Sequence, residues 1–171
     1  MPATAQDYID HASEINRLAG EALRIDTQDA TFIARKVSIG LSLQAMELVG
    51  KAILTSLRVE VAAIRAAHKH HDVLAILADA ERRLAAHADD ALKQYKNFTL
   101  WAPTINGIQF NTTIRGYMEE HFLRGASAKP RNYFYPDEPT FTGPQPIQAI
   151  FVMTERLIEV AGEISRLVGS P

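Results

Sequence analysis

The chain has 171 residues, 18 Lys+Arg against 20 Asp+Glu, a formal net charge of -2, six His, no Cys and 47% hydrophobic residues. With no thiol, a disulfide framework, a cysteine nucleophile, an iron–sulfur cluster and a thiolate zinc site are all excluded. The near-neutral balance argues against a histone-like nucleic-acid binder, and a chain of this size buries roughly 70% of its unfolded surface, enough for one core without staples.

Residues 1–10 carry neither the basic start nor the apolar run of a secretory signal, so a cytoplasmic location is expected. Thr4 and Asp7 have the spacing of a capping box and open a helix on Tyr8, Ile15, Leu18, Ala22 and Ile25, which Asp26-Thr-Gln-Asp29 is expected to end. From Ala30 the apolar residues come thickly around the whole helical circumference, from Phe32 through Leu43, Met46 and Ile53 to Leu57, which predicts a central helix that runs on as far as Ala67. Ser42, Gln44, Glu47, Gly50 and Lys51 interrupt its apolar run, so it is read as a core helix and no membrane segment is expected.

His68-Lys-His-His-Asp72 breaks the pattern, and Asp72 is placed to cap a helix on Val73, Leu77, Ala80, Leu84 and His87. Ala88 to Trp101 predicts a further helix ahead of Pro103 and the turn dipeptide Asn106-Gly107, around which 99–101 and 107–110 are the only segments with any strand character. Thr112 or Thr113 caps a segment with Ile114, Tyr117, Met118 and Phe122 that stops at Gly125. Residues 126–145, with four prolines and the aromatics Tyr133, Phe134, Tyr135 and Phe141, read as a long loop whose aromatics cover the bundle end or, less simply, offer a stacking platform. Pro146 then opens the cleanest amphipathic helix, on Ile147, Ile150, Phe151, Leu157, Ile158, Ala161 and Ile164. The expected architecture is one all-α domain, an antiparallel bundle of about five helices with one long Pro- and aromatic-rich loop.

Several chemistries fall away. A di-iron carboxylate bundle needs Glu-x-x-His, which does not occur, and there is no Gly-rich phosphate loop or Gly-x-Ser-x-Gly elbow. His68, His71 and Asp72 would share a face if helical and could then hold a zinc or nickel ion, but a polar helix junction with a capping Asp is the simpler reading, so no metal and no cofactor is expected.

Gln44-Ala-Met-Glu47-Leu-Val-Gly-Lys51, then His71-Asp72-Val-Leu, and in the second half Phe122-Leu-Arg124 with Tyr135-Pro-Asp-Glu138 before the last helix, resemble in order and spacing the HEPN family (higher eukaryotes and prokaryotes nucleotide-binding domain) over most of residues 30–168. The resemblance implies a helical bundle that pairs as a homodimer. It also implies metal-independent endoribonuclease activity on Arg, four to six residues, then His, which here is Arg115 and His121. Two residues six apart on a straight helix point about 120° away from each other, so a two-fold pair of helices is needed to bring guanidinium and imidazole into one cleft. There His would move the proton of a ribose 2′-hydroxyl and Arg would hold the phosphate. Arg65 with His70 or His71 satisfies the same spacing and ranks second. Glu119 and Glu120 repel phosphate, so an RNA channel would draw on Arg124, Lys129 and Arg131. A toxin or defence role is implied, with RNA or a nucleotide as ligand and a minimal nucleotidyltransferase as antitoxin. The alternative is a non-catalytic helical module that binds a nucleotide or a partner protein, in which Arg115 and a half-buried His121 are ordinary helix residues.

Overall fold

A computed structural model describes residues 3–29, 32–69, 71–102, 104–105, 107–109, 111–122 and 147–169. Seven α-helices lie among them: α1 Ala5–Asp29, α2 Phe32–Ser56, α3 Val61–Ala67, α4 Val73–Ala85, α5 Asp90–Lys93, α6 Ile114–Phe122 and α7 Ile147–Gly169. The expected loop at 126–145 lies outside the described residues. The all-α class holds, with more and shorter helices than the five expected.

The helix starts are set by side chains. Thr4 and Asp7 form the reciprocal box, the Thr4 amide donating to Asp7 Oδ2 at 2.7 Å and the Asp7 amide to Thr4 Oγ1 at 3.2 Å. Asp72 Oδ1 accepts the Ala75 amide at 3.0 Å and caps α4, and Thr113 Oγ1 accepts the Gly116 amide at 3.0 Å and caps α6. α1 runs past the expected turn to Asp29, because Asp, Thr and Gln lower helix propensity without blocking it as Gly or Pro does.

Three expectations are corrected. α2 does not continue to Ala67: the Val59 amide donates to Leu54 O at 3.0 Å and the Arg58 amide to Thr55 O at 2.9 Å, with Arg58 at φ 61. That is a Schellman stop, and it turns the chain before α3 begins. Ala88 to Trp101 is not one helix but the four residues of α5 and a 3-10 turn at Phe98–Leu100. Here the Thr99 amide goes to the Glu81 carboxylate at 2.8 Å, so a side chain takes a donor that helix continuation would use. The minimal antiparallel ladder pairs Thr104 with Gln109 and Ile105 with Ile108 across a turn closed at Gly107, φ 78, while residues 99–101 take no part.

α2 is the centre. It packs on α1, α7 and α4, and Ile39, Leu43, Ala45, Met46, Val49, Ile53 and Leu54 are buried around its circumference. Residues 34–56 are long and apolar enough to cross a bilayer, more so than 41–57 alone suggested, and most of this stretch is covered by its neighbours. A polar seam crosses the buried α1–α2 contact, where Ser38 Oγ donates to Ala19 O at 2.9 Å and Ser42 Oγ to Asn16 Oδ1 at 3.4 Å. These bonds satisfy groups that would otherwise be costly to bury.

Candidate functional site

Two polar clusters contain the residues singled out by the sequence. The first is built on α6. Its cap at Thr113 fixes Arg115 in the first turn, and the Ile114 amide donates to Trp101 O at 3.0 Å, tying that turn to the segment after the 3-10 helix. The Arg115 guanidinium is thereby aimed inward: Nη2 donates to Glu81 Oε2 and Nε to Thr99 Oγ1 at 3.1 Å. Glu81 also accepts the Thr99 amide and hydroxyl, both at 2.8 Å. The Glu81 side chain is 6% exposed and that of Arg115 35%. The result is a nearly closed network in which the guanidinium neutralises a buried carboxylate. Tyr117, two residues on, is fully buried, and burial, with Glu120 beside it, pushes its phenol far above the ordinary range. His121 is the eighth residue of α6, six positions from Arg115, so one helix carries both. Arg124, Lys129 and Arg131 lie outside the described residues.

The second cluster joins α2 to the turn between α3 and α4. Glu47 and Lys51, one helical turn apart, form an ion pair, and Glu47 Oε1 also lies 2.8 Å from Nδ1 of His71. A carboxylate only accepts, so the imidazole Nδ1–H donates and the Nε2 edge is left outward on a side chain that is 53% exposed, while Glu47 is 7% exposed. His71 holds φ 55, the left-handed region, which turns its ring back toward α2. The Glu-x-x-x-Lys and His-Asp pieces of the family resemblance thus meet in space, with Asp72 used as the α4 cap.

His68 turns elsewhere. Its Nε2 donates to Asp79 Oδ2 at 3.2 Å, and Asp79 also pairs with Arg82 and, at 3.3 Å, with Arg83. Burial pushes the Asp79 carboxyl up, yet the His68 hydrogen bond and the charges of Arg83 and Arg82 together outweigh it and hold it below its ordinary value. His68 and Lys69 lie in a turn and His71 is in the left-handed region, so the helical face that would have grouped His68, His71 and Asp72 does not form. Among the described residues no three His, Asp or Glu side chains converge as a metal site. Arg65 is exposed on α3 with no hydrogen-bond or ionic partner among the described residues, and His70 lies outside them.

Glu81, Thr99 and Asp79 were not picked out by the sequence reading. Glu81 had a signal, because it follows Leu77 by four on the apolar face of α4, and an acid in a core stripe requires a buried donor set. Trp101 packs against Tyr95 with centroids 5.9 Å apart and under the Arg156 guanidinium at 5.3 Å. Tyr95 in turn donates to Glu163 Oε2 at 3.0 Å, fastening this segment to α7.

α1 and α7 part to leave a groove of about 690 Å³ between them. They touch at Gly20, where a Cβ would stand 3.0 Å from the Phe151 ring, so the glycine permits the approach. Compared with known proteins, the chain matches no family model, no curated protein and no solved structure.

Proposed function

We propose that the protein is a cytoplasmic, HEPN-like helical module that works by holding a partner protein, and that Arg115 serves the fold rather than the cleavage of RNA. The observation that carries this reading is the engagement of the Arg115 guanidinium with Glu81 and Thr99. Its Nε and Nη2 are engaged by these partners, and drawing the guanidinium away to a phosphate would strand a carboxylate that is almost fully buried, an uncompensated charge that costs about 3–5 kcal/mol. The groove between α1 and α7 supports the binding part of the reading, since two long helices leave an open, partly apolar face there. The helical bundle and the meeting of Glu47, Lys51 and His71 support the likeness to the HEPN family.

A second reading, a metal-independent endoribonuclease acting as a dimeric toxin or defence component with a minimal nucleotidyltransferase as antitoxin, is favoured by the other cluster. His71 has the form of a general base, with Nδ1 fixed by a buried carboxylate and Nε2 open to solvent, and Arg65 six residues before it is uncommitted among the described residues. One assay separates the readings. Full-length protein incubated with RNA in EDTA is expected to leave it intact, as are the His121→Ala and His71→Ala variants. Cleavage by the wild type that either variant abolishes overturns the module reading, and the variant that does so names the site.

A further inference from the structure

The α1–α7 groove has an apolar floor and an unbalanced rim. Leu23, Phe151 and Ile158 line it, with Asn16 buried at its base, where its amide reaches the Phe151 carbonyl at 3.5 Å. Along the α1 rim the charges cancel: Arg17 is paired with Glu14 at 2.8 Å and Arg24 with Glu21 at 2.5 Å. Along α7 they do not. Arg156 is committed to Glu159 at 2.7 Å and to the face of Trp101, and Glu163 is shared with it at 4.0 Å. Glu155 stands on the groove without a cationic partner among the described residues, and partial burial with Glu159 close by raises its carboxyl pKa.

We propose that this groove docks an amphipathic helical segment of a partner protein, which lays aliphatic side chains against Leu23, Phe151 and Ile158 and sets a Lys or Arg on Glu155. The proposal rests on the module reading above and names the chemistry of its partner. A helix fits because the groove follows two helices of 25 and 23 residues, and helix-in-groove recognition uses side chains at i, i+4 and i+7, all on one face. Positive charge fits because Glu155 stands on the groove with no cationic partner among the described residues, while Glu159 beside it is already paired with Arg156.

The test uses the full chain and two labelled synthetic helical peptides of about 18 residues, each with Leu on one face and either Lys or Glu on the other. Fluorescence anisotropy is expected to show the Lys peptide binding about tenfold more tightly than the Glu peptide. Glu155→Lys should invert that preference, and Glu155→Gln should reduce it. Ser13→Trp, placed on the groove wall, should abolish binding while the circular dichroism spectrum and melting temperature stay at wild-type values. Binding that ignores the peptide charge, binding that survives Ser13→Trp, or no binding of either peptide overturns the proposal. So does a dimer in sedimentation that Ser13→Trp converts to a monomer, which would assign the groove to a second copy. These outcomes leave RNA intact or not independently, so failure of the groove and failure of the module reading are told apart by the cleavage assay in EDTA.

Discussion

The Glu81 carboxylate is held by three donors from Thr99 and Arg115, and its 6% exposure means that water cannot replace a lost one. Arg115→Met is therefore expected to lower stability by about 3 kcal/mol in urea denaturation, and Glu81→Met together with Arg115→Met to recover only part of that loss, because the ion pair is then gone rather than broken but the buried Thr99 amide and hydroxyl lose their acceptor. Arg58 gives a change of opposite sign. It occupies the left-handed region at the Schellman stop, so Arg58→Gly should raise stability by about 1 kcal/mol in the same assay, the relieved strain exceeding the added freedom of the unfolded chain. Asp79 predicts an acid response. Its folded pKa lies below the unfolded value, so its contribution is fully present above the ordinary Asp pKa and is lost as the pH falls through the folded one. Unfolding free energies measured from about pH 5 down to about pH 2 should fall less steeply in Asp79→Asn than in the wild type. At this scale the local bonds were legible: Thr4 with Asp7 and the cap at Asp72 lie three residues from their partners. The bond from Arg115 to Glu81 spans 34 residues, and no periodicity encodes a pairing that tertiary packing alone creates.

Among the elements, α2 packs tightly on α4 at Gly50. A Cβ there would stand 2.9 Å from Ile76 Cγ2 and 3.0 Å from Cγ1, both atoms of a buried, β-branched side chain with little room to turn. Gly50→Ala is expected to cost about 1–3 kcal/mol by thermal denaturation despite the higher helix propensity of Ala, and Ile76→Val in the same chain to recover part of the loss. The sequence reading took Gly50 only as a break in an apolar run, since composition cannot say which neighbour a glycine admits. Helix positions followed from apolar spacing, and α1, α4, α6 and α7 start where caps or periodicity put them. The breaks did not. The end of α2 at Ser56 depends on backbone bonds from Arg58 and Val59, and the interruption after α5 depends on Glu81 reaching over from α4, both invisible to a pattern of apolar residues.

For the molecule as a whole, the apolar α2 in the centre and the amphipathic helices around it were readable, because a helix apolar on every side can be satisfied only by burial. What the bundle does was read from the order and spacing of short motifs, and spacing could not show that the Arg115 guanidinium pairs with Glu81 on another helix. The Glu47 and His71 juxtaposition was legible only as two motifs in order, and the α1–α7 groove not at all, since it arises from how two helices part. The claim most exposed to experiment is that Arg115 is a structural residue. The direct measurement is RNA cleavage in EDTA by wild type and by Glu81→Gln, the variant that weakens the hold on the guanidinium while keeping the side-chain shape. The account predicts intact RNA with both proteins. Cleavage that appears or rises in Glu81→Gln and disappears when His121→Ala is added would contradict it.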